Sequence, residues 1–325
     1  MTQQVRFLLT TVLSAVWIAF AGAAGAQQYP TKPIRLVVPF GPGGGVDITT
    51  RAIAKKLTES MGQTIIVDNR TGANSIIGTQ AVARSEPDGY TFLVTGTIFL
   101  IVPSMIRNVP YDPLRDFTPV GLIGWVPQIL VVHPSLPVKS VDELILLAKA
   151  RRSELNYASG GNGSGAHMAT ELFMRQAGIK MTHIPYKSDA PAMVDLLGGQ
   201  VMVKFDNAVT ALPHVKAGKL RALGVTSPNR LALLPDVPSV GERLAGYEAS
   251  IFYAIFAPAG TPADIVDRMH GELVKFTNSP EIKDNFARQG VDLQSSPSPG
   301  HFAALTKTEF SKWSKIIHEA GIKAE

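Results

Sequence analysis

The 325-residue sequence contains no cysteine. Disulfide bonds and cysteine-linked lipids are therefore excluded, and a core that a chain of this length can bury must stabilise the fold. Clustered charge is also scarce. Lys55-Lys56 and Arg151-Arg152 are the only adjacent cationic pairs, although 31 Lys and Arg against 26 Asp and Glu give a formal charge of +5. Because phosphate neutralisation needs clustered cations, this dispersed charge argues against nucleic-acid binding.

Long apolar runs are absent except at the N-terminus. Arg6 precedes the apolar run Phe7–Phe20, and the small residues Ala24-Gly25-Ala26 follow. This pattern predicts a signal peptide, residues 1–26, that is cleaved after Ala26; the alternative is an uncleaved membrane anchor. An exported protein with no lipid anchor is retained only by an outer membrane, so the sequence predicts a periplasmic location.

After residue 26, short β-branched runs alternate with helical patterns, which is typical of parallel α/β architecture. In the first block, a helical stripe starts at Asp47, and Gly62 is suited to a left-handed helix end. The predicted strands of this block are Ile34–Val38, Thr64–Val67 and Thr91–Thr95.

A second block begins near Pro127 and a return segment begins near Ile251. We therefore predict two α/β lobes joined by two crossing strands, with residues 27–125 in lobe 1, 126–251 in lobe 2 and 252–325 returning to lobe 1 and forming a C-terminal helix. The periodicity of the sequence alone is also compatible with the alternative of a single Rossmann-type domain. The predicted strands of the second block are Ile129–Val132, Leu155–Ala158, Thr182–Pro185, Val201–Phe205 and Arg221–Thr226.

The first glycine-rich turn, Val38–Asp47, follows a strand and opens a helix. Its glycines let backbone N–H groups approach an anion at the helix N-terminus, although a plain turn capped by Asp47 is the alternative. No lysine follows the glycines, which excludes a P-loop, and Val46 breaks the dinucleotide pattern G-x-G-x-x-G. The turn therefore predicts no nucleotide cofactor and leaves an anion site and a plain helix start equally open.

The second glycine-rich turn, Tyr157–Gly165, again lies between a strand and a helix. Neither Ser159 nor Ser164 has the G-x-S-x-G environment of a hydrolase nucleophile. His167 and Glu171 share a helix face, but the H-E-x-x-H pattern of a zinc site is missing. We therefore predict neither a hydrolase nor a metal site here.

Three other segments place polar groups after strands. The turn Gly72–Gly78 is flexible and polar. Asp206 ends a strand, where it either contacts a ligand or makes a cap or structural hydrogen bond. Lys187 is either a surface charge or the partner of a carboxylate.

Taken in order, these segments resemble the substrate-binding proteins of tripartite tricarboxylate transporters, known as Bug receptors. The resemblance covers the whole chain after the signal segment, and the joint order of its motifs is specific. The motifs are Tyr29–Ile34, Val38–Asp47, Asp68–Arg70, Pro87–Thr91, Tyr111–Phe117, Asn156–His167, Pro185–Lys187, Asp195–Gln200, Phe205–Asn207, Pro235–Pro238 and Ala257–Pro262.

The resemblance implies a periplasmic binding protein-like (Venus flytrap) fold that closes on a small carboxylate and presents it to integral membrane permease subunits. It implies no enzymatic activity and no cofactor, and we expect a monomer. A role in signalling is the alternative, followed by a periplasmic hydrolase. By position in the motifs, the implied ligand contacts are Phe40, Gly43, Gly44, Asn74, Ser75 and Thr97 in lobe 1, and Ser159, Gly160, Gly163, Ser164 and Asp206 in lobe 2.

The sequence departs from the family pattern at three places. Asn74–Ile77 is bulkier than the usual glycine-rich turn, Ser188 stands where glycine is common, and Met202 replaces a common aspartate. These departures concern the identity of the ligand more than the fold.

Overall fold

The computed structural model describes residues 29–151 and 154–320, so the predicted signal peptide and its alternative as an anchor lie outside the described residues. No helix in these ranges is long and apolar enough to span a membrane. The strands are β1 Ile34–Val38, β2 Ile65–Asn69, β3 Thr91–Gly96, β4 Phe117–Val126, β5 Gln128–Val132, β6 Asn156–Ser159, β7 Thr182–Pro185, β8 Val203–Asn207, β9 Arg221–Val225, β10 Ile251–Pro258 and β11 Asp292–Leu293.

The helices connect these strands in the alternating order that the sequence predicts. They are α1 Gly45–Met61, α2 Ile76–Ala83, α3 Ile98–Met105, α4 Val141–Ala150, α5 Gly165–Ala177, α6 Asp189–Leu197, α7 Ala208–Lys216, α8 Ala263–Asn278, α9 Pro280–Ala287 and α10 Pro299–Ala320.

The strands of the described ranges form two sheets. The first has six strands in the order β11-β4-β10-β3-β1-β2, and the second has five in the order β7-β6-β8-β5-β9. Strands β1, β2 and β3 pair in parallel, whereas β10 inserts antiparallel between β3 and β4. All eight residues of β10 are buried, because helices cover both faces of this sheet. The predicted two-lobed α/β fold class is confirmed.

The chain passes between the sheets at two neighbouring points. Pro127 alone separates β4 of the first sheet from β5 of the second, and the chain returns where β10 begins at Ile251. The carbonyl of Pro127 accepts the N–H of Ala208, and Ala249 N donates to Thr226 O near the return point. Two short backbone segments, each hydrogen-bonded to a residue of the second lobe, thus form the base of the cleft.

The C-terminal helix α10 contacts both lobes. Phe302 packs in the core of the first lobe. Trp313 and Ile317 belong to a hydrophobic cluster that joins α3 of the first lobe to the main core of the second. Ser104 of α3 and Ser314 of α10 are hydrogen-bonded through their hydroxyls at 2.6 Å. The helix is therefore a third link between the lobes, in addition to the two backbone crossings.

Helix α1 begins two residues earlier than the sequence predicts. Gly45 is its first residue and Gly44 its N-cap, while Asp47 lies in its first turn. The end of the helix is confirmed: Gly62 caps it at φ 69°, in the left-handed region that glycine adopts without strain.

Candidate functional site

Five helices of the described ranges begin at one cavity between the two sheets. The residues at their starts that line it are Gly45 of α1, Thr97 before α3, Gly165 of α5, Asp189 of α6 and Asn207 before α7. Helices α1 and α3 follow strands of the first sheet and the others follow strands of the second, so the cavity lies in the cleft. A helix start presents unpaired N–H groups and the positive end of the dipole, so the wall attracts an anion.

Helices α1 and α5 contribute free main-chain donors to this wall. Within the described residues, the N–H groups of Gly45, Val46, Gly165 and Ala166 have no hydrogen-bond acceptor. Position 45 has to be glycine for its backbone to lie this close to Tyr253, since a Cβ there would collide with the hydroxyl of Tyr253. The cavity encloses about 50 Å³ of space.

The two lobes touch across this cleft. A Cβ on Gly41 would lie 3.0 Å from the hydroxyl oxygen of Ser188, and one on Gly161 would lie 3.4 Å from Asn74 Oδ1. Gly41 and Asn74 belong to the first lobe, and Ser188 and Gly161 belong to the second. The structure thus has the closed arrangement of the lobes.

The first glycine-rich turn is held by the buried carboxylate of Asp47. Asp47 Oδ2 accepts Gly43 N and Arg51 Nε at 2.9 and 3.0 Å, and Oδ1 accepts Asn69 Nδ2 at 2.9 Å. Burial alone would raise the pKa of Asp47, but the hydrogen bonds from Arg51, Gly43 and Asn69 outweigh it and lower the pKa. The carboxylate therefore stays ionised and fixes the turn from behind.

The second glycine-rich turn is held by two stacked histidines. His167 Nδ1 accepts Gly163 N at 2.9 Å, and His183 Nε2 bonds Ser159 Oγ at 2.6 Å. The two imidazole rings are 4.2 Å apart and nearly parallel. Burial lowers the pKa of His167, with a further contribution from His183, to about 3, and burial lowers that of His183 to about 4. Both rings are therefore neutral at neutral pH.

Ser159 and His183 form the hydroxyl–imidazole pair that the sequence motifs do not reveal. Ser159 is fully buried, does not line the cavity, and also accepts Gly161 N at 3.1 Å. A nucleophile must reach its substrate, so these contacts give the pair a structural part in fixing the turn.

A buried lysine joins two aspartates beside the cavity. Lys204 Nζ donates to Asp189 Oδ1 at 2.9 Å and makes a very short contact with Asp206 Oδ1; Thr210 Oγ1 donates to Asp206 Oδ2 at 2.5 Å. Burial alone would lower the pKa of Lys204, but the two carboxylates raise it. One ammonium group thus serves two carboxyl groups, and the cluster has no surplus positive charge for a ligand.

Tyr253 supplies a hydroxyl to the cavity from the middle of β10. Its side chain is 1% exposed, and the hydroxyl has no hydrogen-bond partner among the described residues. Burial raises the pKa of this phenol well above its ordinary value, so it remains a donor. An unpaired buried hydroxyl costs about 1–3 kcal/mol, a cost that a hydrogen bond to a ligand would remove.

The structure brings five of the eleven predicted contact residues to the cavity wall: Phe40, Gly44, Thr97, Gly160 and Ser164. The others lie beside or behind it. Gly43 donates to Asp47, Gly163 to His167, and Asp206 is fully used by Lys204 and Thr210. The residues outside the wall are Gly43, Asn74, Ser75, Ser159, Gly163 and Asp206. The set remains a prediction.

Other wall residues are absent from the predicted set. Gln128 and Tyr253 come from the strands at the cleft base, and Asp189 and Asn207 come from helix starts in the second lobe. The available signals are weak: each is a single polar residue beside a strand or helix start. Asn207 directly follows a residue of the predicted set.

Residues 49–322 match the family described as tripartite tricarboxylate transporter family receptor. The chain belongs to this family. Protein BugT of Bordetella pertussis is 38% identical over 316 residues, which are 95% of this chain and 96% of BugT. The family resemblance predicted from the sequence motifs is therefore confirmed.

Solved structures of similar proteins share the receptor fold. An R. palustris protein with adipate has a TM-score of 0.88 at 36% identity and covers 91% of this chain and 99% of its own. The periplasmic binding protein BugD has a TM-score of 0.87 at 32% identity, covering 91% and 100%. MatC from Rhodopseudomonas palustris, with bound malate, has a TM-score of 0.84 at 28% identity, covering 89% and 100%. Of these three, BugD is described as a periplasmic binding protein, and the other two structures contain the carboxylates adipate and malate.

Proposed function

We propose that this receptor captures a small carboxylate in the cleft between its lobes and delivers it to a membrane permease without chemical change. The observation that carries the proposal is the convergence of five helix starts on the cavity, with the N–H groups of Gly45, Val46, Gly165 and Ala166 unpaired. Such donors bind a carboxylate strongly because their dipoles are already oriented. The adipate and malate of the similar structures support the ligand class.

Ligand-driven closure follows from the position of these donors on both lobes. A ligand that bridges α1 and α5 binds the closed form better than the open form, so it shifts the population towards closure. We therefore expect the closed form to be the one that a permease recognises.

A thermal-shift panel of mono-, di- and tricarboxylates tests the ligand class. At least one carboxylate should raise the melting temperature, since binding to the folded state stabilises it. The matched control is the neutral amide of the same shape, for example succinamide against succinate, which should give no shift. A protein that responds to sugars or amides and to no carboxylate contradicts the proposal.

Delivery and location need tests in cells. We propose export to the periplasm with cleavage after Ala26 and action as a monomer. N-terminal sequencing of the protein from an osmotic-shock fraction should begin at Gln27, and sedimentation should give one chain per particle.

A deletion strain should lose uptake of the labelled ligand; unchanged uptake with a lost transcriptional response would instead indicate signalling.

A further inference from the structure

A site that selects the most anionic ligand is expected to carry positive charge. The formal charge on the wall of this cavity is instead negative. Among the described residues that line it, Asp189 is the only one with a formal charge. About a quarter of its side-chain surface is exposed, and Oδ1 accepts Lys204 Nζ at 2.9 Å. Asp189 Oδ2 accepts no hydrogen bond from the residues of the described ranges, so it is available to a group in the cleft.

Lys204 cannot compensate this charge for an incoming anion. Its side chain is completely buried, and its ammonium is shared between Asp189 and Asp206. A carboxylate of the ligand placed at this wall would face another carboxylate, and like charges at short range are unfavourable. The group of the ligand that faces Asp189 must instead be a hydrogen-bond donor.

The hydroxyl of Tyr253 independently indicates a ligand in the same cavity. It is a buried donor without a partner, and it lines the cavity together with the start of α1. The wall therefore has two chemically different parts: main-chain and phenolic donors that suit a carboxylate, and one carboxylate acceptor at the start of α6.

We propose that Asp189 determines specificity by accepting an ammonium group of the ligand, so that this receptor selects carboxylates that also carry an amino group. The inference rests on the proposed function and refines its ligand class. Lys204 acts as a positioning residue, because it holds Oδ1 at 2.9 Å and does not bond Oδ2.

Two pairs of probes that differ only by an added ammonium test the proposal: succinate with aspartate, and adipate with 2-aminoadipate. Isothermal titration should show that the amino member of at least one pair binds at least about tenfold tighter, as expected for a charge-assisted hydrogen bond. Asp189→Asn should reduce that preference at least about tenfold. Because the preference is a ratio of two affinities within one protein, a loss of folded fraction does not affect it.

Asp264→Asn is the matched control. Asp264 also lies in the first turn of a helix, α8, but is exposed and away from the cleft. This variant should keep the wild-type preference. Equal or preferential binding of carboxylates without an amino group, or a preference unchanged in Asp189→Asn, overturns the inference and leaves the proposed function standing. Failure of every carboxylate to bind overturns both.

Discussion

At the scale of single residues, two buried tyrosines differ in what their hydroxyls bond. Tyr253 OH has no partner among the described residues, whereas Tyr247 OH donates to Ala169 O at 2.9 Å. Tyr253→Phe should raise the free energy of unfolding of the ligand-free protein by about 1 kcal/mol, because it removes an unsatisfied buried group. It should also weaken binding of the carboxylate found in the panel about tenfold. Urea titration and calorimetry measure the two effects.

Tyr247→Phe is the control for that pair of measurements. It removes a satisfied hydrogen bond far from the cavity wall, so it should lower the free energy of unfolding by about 1 kcal/mol and leave the affinity unchanged. Unchanged affinity in Tyr253→Phe would show that the phenol does not touch the ligand.

At the scale of elements, the turn after β6 should make stability depend on pH. The pKa values of His167 and His183 are about 3 and about 4 in the fold because of burial, below the unfolded value near 6.5. The unfolded chain therefore binds protons first, so this contribution to stability is complete above about pH 6.5 and is lost as the pH falls. We expect the free energy of unfolding from urea titrations to fall between pH 6.5 and 5.

His167→Asn isolates this effect, since an amide oxygen can still accept Gly163 N. The variant should flatten the pH dependence, and His301→Asn, at an exposed position, should leave it unchanged. The nearby Glu171 has a pKa raised by burial, which gives a slope of the opposite sign. A slope that His167→Asn does not change would assign the pH dependence to other groups.

Helix α10 allows a second prediction at the same scale. Trp313 is 1% exposed and donates Nε1–H to Glu309 Oε2 at 3.1 Å. Trp313→Ala should lower the free energy of unfolding by about 3–5 kcal/mol through the cavity it leaves. Leu146→Ala, at a side chain that is 66% exposed, should change it by less than about 0.5 kcal/mol. Chemical denaturation of both variants provides the comparison.

The elements also show what the sequence predicts and what it does not. Periodicity predicts β1 and the left-handed end of α1 at Gly62 because both are local. It does not predict that β10 lies antiparallel between β3 and β4, since those partners are more than a hundred residues apart in the chain. Nor does the apolar stripe of α10 indicate that Trp313 and Ile317 belong to a cluster that joins the two lobes.

At the candidate site, too, some residues are predictable from the local sequence and others are not. Glycine-rich turns leave a clear mark in the sequence, because only glycine permits the close backbone approach at Gly45. Tyr253 and Asp189 leave no such mark. A tyrosine within an apolar strand resembles a core residue, and an aspartate at a helix start resembles a residue that favours the dipole.

At the scale of the whole molecule, closure depends on the contact of Gly41 with Ser188. A side chain at Gly41 would meet Ser188 Oγ at 3.0 Å, so Gly41→Val should hold the lobes apart. We expect a larger radius of gyration in small-angle scattering with ligand and a weaker affinity. Gly271→Val, where a Cβ meets no atom within 4 Å, is the control, and Ser188→Gly should partly restore closure. If Gly41→Val compacts with ligand as the wild type does, closure does not depend on the contact between Gly41 and Ser188.

The same contact allows the cleft to be locked covalently. A Cβ at position 41 would lie 3.2 Å from Cβ of Ser188, near the 3.5–4.5 Å range of disulfide-linked residues. Since the chain has no cysteine of its own, Gly41→Cys combined with Ser188→Cys introduces a single thiol pair with no other thiol in the chain to compete for it. Oxidation after loading should trap the ligand and slow its release, and a reductant should free it, which would turn the receptor into a chemically switched container.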